Sequence, residues 1–129
     1  MLGKLTATVL VVKDLEKCRK FYQEMLGLKV TFSDDVSSGY KIEDHDLVVL
    51  EEAAAAEMVG QETLSVKGSR VILCLGVENV DATCEALKAK GVTLLKPPKS
   101  QAWGRRTAYI ADPDGNLWEL WHELPSEQK

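Results

Sequence analysis

Histidine is scarce in this chain, with two in 129 residues, and no apolar run is long enough to cross a bilayer. Residues 1–10 carry no charged segment followed by a long apolar core, so export is not expected and a cytoplasmic location is. Basic residues are in deficit, 16 Lys and Arg against 20 Asp and Glu, and they form no stripe. Neither a nucleic-acid nor a membrane partner is therefore expected. The three cysteines, Cys18, Cys74 and Cys84, are odd in number and follow no metal-ligand spacing. Each sits in an apolar pattern, so all three are expected as reduced, buried small hydrophobes. Nothing in the sequence puts His45 or His122 beside a cysteine, which leaves a thiol nucleophile without its base.

What remains is a globular composition, 45% hydrophobic and 28% charged, in a length that suits one ordinary domain. Residues 5–12 (LTATVLVV) are β-branched and apolar and predict a buried strand. Asp14 can cap a helix whose apolar positions, Leu15, Cys18, Tyr22, Met25 and Leu26, share one face, and Gly27 fits a left-handed helix end. Strands are expected near 28–32, 36–42 and 47–50, with turn residues 43–46 between the last two. The same order then recurs. A strand over 71–77 precedes a helix capped by Asn79, with Val80, Cys84 and Leu87 on its buried face, and Gly91 ends it. Strands near 92–95, 106–111 and 116–121 follow, the last two joined by the turn Asp112-Pro-Asp-Gly-Asn116.

The chain is thus read as one α+β domain of two tandem βαβββ units, 1–56 and 70–129, with a linker at 57–69 containing at most one helical turn. Side by side, such units would make a curved mixed sheet with helices outside and a concave cup. Asp14-Leu15 superposes on Asn79-Val80 at an offset of 65, which makes Ala7 and Ile72 equivalent. The same comparison puts the segment 51–55 roughly opposite Glu119.

The segment from Val12 to Leu28 (VKDLEKCRKFYQEMLGL) and that from Trp103 to Glu119 (WGRRTAYIADPDGNLWE) resemble the two unit signatures of the vicinal oxygen chelate superfamily. That group includes glyoxalase I, extradiol dioxygenases, and fosfomycin and bleomycin resistance proteins. The resemblance spans nearly the whole chain and specifies a fold, not a reaction. It implies one divalent metal, held by the first and last strands of each unit. Carried over by position, the first-strand ligands fall on Ala7 and Ile72, neither of which can bind a metal. The last-strand ligand of the second unit falls on Glu119, a competent oxygen donor, and the fourth lies near Leu50 or Glu51 with its register open. No obligatory metal or other cofactor is therefore expected; the alternative is one divalent ion held by Glu119 and Glu51.

Strand alternation groups Leu117, Glu119 and Trp121 on one face, with Trp118, Leu120 and His122 on the other. On the same face the opposing strands would bring Ala7, Val9 and Val11, and Ile72, Cys74 and Gly76. The expected pocket is apolar, with an aromatic wall and one carboxylate, Glu119, able to act as a general acid/base or as counter-charge to a cation. Trp103, on a loop, is a candidate for stacking on a ligand or for covering the core, and Tyr40 a candidate pocket residue. Arg105 and Arg106 open a strand, and only one of them can share the face of Glu119. His45 is read in an exposed turn. Closest to the bleomycin-resistance type, the chain is expected to bind an aromatic or cationic small molecule. The rival readings are a metal-dependent lyase, isomerase or dioxygenase using Glu119, and an interaction module. The resemblance, with the unpaired strand edges, also implies a homodimer.

Overall fold

In the computed structural model the described residues are Gly3, 6–64 and 71–125, and they divide into two compact units, the first ending at Gly68. In unit one the order is β1 (Ala7–Val12), α1 (Leu15–Lys20) running into a π-helical turn (Phe21–Met25), β2 (Lys29–Ser33), β3 (Ser37–Ile42), β4 (His45–Glu51), α2 (Glu52–Val59) and α3 (Gln61–Leu64). Unit two contains β5 (Ile72–Gly76), α4 (Val80–Ala89), β6 (Leu94–Ser100), β7 (Arg105–Ala111) and β8 (Leu117–Glu123). Each unit is a four-stranded mixed sheet of one topology, β1-β4-β3-β2 and β5-β8-β7-β6, with the first and last strands parallel and the rest antiparallel. This is the doubled βαβββ pattern expected from the sequence. No helix among the described residues is long and apolar enough to cross a membrane.

Local chemistry explains the helix ends. Asp14 Oδ1 accepts from Lys17 N at 3.0 Å and Asn79 Oδ1 from Ala82 N at 2.9 Å, each satisfying one of the free amides of a first turn. Gly27 and Gly91 leave the helices at φ of 68° and 93°, where a side chain would be strained. Just before Gly27 the π-helical turn widens the first helix, so that the neighbours Phe21 and Tyr22 are both buried, edge to face at 4.9 Å.

Each sheet turns one face to its helix. In unit one, Leu10, Val12, Tyr40, Leu47 and Val49 are buried there with Leu15, Cys18, Phe21 and Tyr22. In unit two, Ala108, Ile110, Trp118 and Leu120 are buried with Val80, Cys84 and Leu87. Burial of each large side chain contributes about 1.5–3 kcal/mol, which makes these two helix–sheet layers the main source of stability.

Several expectations change. The segment after β4 is not a linker with one turn: α2 and α3 occupy most of it, and residues 65–70 lie outside the described residues. His45 is not in an exposed turn but opens β4, its Nε2 2.7 Å from Thr8 Oγ1, because the turn contracts to Glu43 and Asp44. Glu43 takes the left-handed conformation, φ 52°. Strand β6 runs on through Pro97 and Pro98, which a central strand would not tolerate. It lies at the sheet edge, and its register with β7 slips between Lys96 and Lys99.

Candidate ligand site on the second sheet

Cross-strand partners share a face, so the register identifies what stands opposite the helix in unit two. Glu119 lies between Cys74 of β5 and Tyr109 of β7, Trp121 between Gly76 and Thr107, Leu117 between Ile72 and Ala111, and Arg105 beside Glu123. The expected grouping of Leu117, Glu119 and Trp121 with Ile72 and Cys74 therefore holds within this unit. Ile72 is 52% exposed, and Glu119 and Trp121 are half-buried.

The Tyr109 hydroxyl donates to Glu119 Oε2 at 2.7 Å. This bond, together with desolvation, raises the phenol above its ordinary 10.0, so Tyr109 stays protonated and acts as a donor to the carboxylate. Partial desolvation, then the charge of Glu119, raises the Cys74 thiol as well, which keeps it neutral and a poor nucleophile. Cys74 is also exposed, against the expectation of a buried cysteine, while Cys18 and Cys84 are buried as expected. Two strand positions along, the Trp121 indole lies against Gly76, where a Cβ would stand only 3.3 Å from Trp121 Cζ2. Arg105 covers that indole, with Cζ 3.7 Å from the ring centroid, and its Nε donates to Glu123 Oε1 at 3.3 Å.

The two arginines part as alternation requires. Arg105 joins Trp121, and Arg106 crosses to the helix side, donating to Asp81 from Nε at 2.6 Å and Nη2 at 2.8 Å. His122 is also on the helix side, where its Nδ1 accepts from Val80 N at 2.8 Å. Trp103 is 66% exposed on the loop before β7. Tyr40 is corrected outright. It is fully buried under α1, its ring 5.8 Å from that of Tyr22 and its hydroxyl donating to Gln23 Oε1, because it alternates with Gly39 and Lys41 onto the helix side.

The open register in unit one also resolves. Val9 pairs with Val48 as Cys74 pairs with Glu119, so the counterpart of Glu119 is Val48, not a residue of 51–55. Leu50 shares the face of Val9 and Val11, whereas Glu51 pairs with the buried Val12 on the other side. The four last- and first-strand positions thus carry Ala7, Val48, Ile72 and Glu119, one donor among four. No group of three His, Cys, Asp or Glu side chains placed to hold a metal occurs among the described residues. The donor set does not fit a divalent ion, which needs about three protein ligands.

Tyr109 is absent from the sequence-derived site, which already held Gly76 and left open which of Arg105 and Arg106 joins it. The signal for Tyr109 was present. A five-residue turn over 112–116 makes Ala111 and Leu117 partners, and two steps further Tyr109 meets Glu119.

Residues 4–120 match the Glyoxalase/Bleomycin resistance protein/Dioxygenase superfamily. The uncharacterized protein YraH of Bacillus subtilis is 34% identical over 128 residues, covering 94% of this chain and 99% of its own. A lactoylglutathione lyase of Haemophilus influenzae is 30% identical over 117 residues, covering 84% of each chain. Among solved structures, a glyoxalase-related enzyme from Fulvimarina pelagi is 28% identical with a TM-score of 0.80, over 93% of this chain and 88% of that one. By the extent of the family match, this chain belongs to the Glyoxalase/Bleomycin resistance protein/Dioxygenase superfamily.

Proposed function

We propose that this protein binds a small organic molecule with an aromatic or cationic part on the open face of its second sheet, without an obligatory metal. The observation that carries this reading is Glu119, a carboxylate held by Tyr109 on a face where Ile72, Leu117, Cys74 and Trp121 flank it. A half-buried charge with one neutral donor beside it favours a cationic or hydrogen-bond-donating ligand group, and the flanking apolar side chains favour a desolvated body. The names of the lyase relatives support a second reading, a metal-dependent lyase, isomerase or dioxygenase using Glu119. The donor positions Ala7, Val48 and Ile72 weigh against it.

Tryptophan fluorescence titrated with planar aromatic amines in the presence of EDTA tests the proposal. A saturable change is expected, weakened about tenfold by Glu119→Gln, the loss typical of one charge-assisted contact. Silence across the panel, or a response that needs added divalent ion, would overturn it.

A further inference from the structure

The face of unit two carries a second charge that a purely cationic ligand would not use. The Arg105 guanidinium lies over the Trp121 ring and pairs with Glu123 through Nε, its one side-chain hydrogen bond among the described residues. Its Nη groups make no hydrogen bond among the described residues, and the indole lies beneath them. A Cβ at Gly76 would stand 3.3 Å from that indole, so the ring and the guanidinium over it would have to give by a few tenths of an ångström. A guanidinium placed between an indole and one carboxylate, with donors to spare, can receive a carboxylate or phosphate. Glu119 presents the opposite requirement. Tyr109 occupies Oε2, and a carboxylate offers about four acceptor positions, so it can still accept from a ligand ammonium.

Resting on the binding function proposed above, we infer that the ligand is amphoteric: a small molecule with an acidic group for Arg105 and an ammonium for Glu119. Glu119 and the Trp121 beneath the guanidinium are successive residues of one face, their Cα atoms about 7 Å apart along the strand. A flat or apolar body would bridge the two charges along the sheet.

Three probes with one ring distinguish the possibilities: 4-(aminomethyl)benzoate, benzylamine and 4-methylbenzoate, each titrated calorimetrically against the full chain. The expected result is that 4-(aminomethyl)benzoate binds about tenfold or more tightly than either singly charged analogue. Arg105→Gln should reduce it to the level of benzylamine, and Glu119→Gln to that of 4-methylbenzoate. Far-ultraviolet circular dichroism of both variants identifies any loss of fold, and Arg105→Lys, which keeps the charge without the planar fork, should retain an intermediate preference. If benzylamine binds as tightly as the amphoteric probe, the inference fails while the cation-binding function stands. Binding by none of the three overturns both.

Discussion

Glu119 and Tyr109 act as one unit, and their coupling is measurable without knowing any ligand. The hydrogen bond to the carboxylate, then desolvation, holds the Tyr109 phenol above 10.0, so its neutral form contributes stability at pH values below 10 that is lost as pH rises through the higher folded value. Glu119→Gln removes the charge that resists deprotonation. Ultraviolet titration of the phenols should show one tyrosine moving down toward 10 in that variant, and an unchanged curve would mean the two side chains are not paired in solution. At this scale the sequence was partly legible. Alternation alone brought Leu117, Glu119 and Trp121 together, since strand period is a local property. Tyr40 was misplaced because alternation fixes which residues share a face but not which face meets the helix. Cys74 was misplaced for a related reason: an apolar sequence neighbourhood does not distinguish a helix-covered face from an open one.

Among the elements, α1 and α4 are the most securely encoded. Asp14 and Asn79 sit at equivalent places in the repeat and make the same capping bond. Asp14→Ala and Asn79→Ala should each lower stability by about 1 kcal/mol in denaturant unfolding, and Asp14→Ser and Asn79→Ser should restore most of it. A loss confined to one variant would show that only one helix end depends on its cap. Strand limits were harder to read. The strand expected near 92–95 runs instead over Leu94–Ser100, because an edge strand has a side with no ladder to maintain and the chain stays extended through Pro97 and Pro98. The helices α2 and α3 were read as a linker with one turn because Ala53 to Ala56 are followed by polar residues; among the described side chains of these helices Ala55 alone is buried.

At the level of the whole chain, duplication supplies the scaffold and divergence the chemistry. Where unit two has Glu119 and Tyr109, unit one has Val48 and Gly39, and the Phe32 ring lies so close over Gly39 that a Cβ there would meet it at 2.2 Å. The first sheet has thus filled with apolar groups the positions that carry polar ones in the second. With one donor in four at the family's metal positions, added zinc or nickel should leave the thermal midpoint unchanged after EDTA treatment. A resident ion at a hundredfold excess over its dissociation constant would instead add about 2.7 kcal/mol. The doubled architecture was legible because periodicity, caps and turn residues repeat in order. The register that places Val48 opposite Glu119 was not, since it depends on pairing between strands far apart in sequence.

The equivalent edge strands β2 and β6 differ in a way that bears on handling the protein at high concentration. Strand β6 carries two prolines and two lysines, Pro97, Pro98, Lys96 and Lys99, which deny a stray chain both donors and a neutral approach. Strand β2, Lys29–Ser33, is exposed along its whole length, holds Val30 and Phe32, and has no proline. Of these two edges β6 is the better guarded, and a further charge beside Val30 and Phe32 on β2, which has only Lys29, would add to solubility.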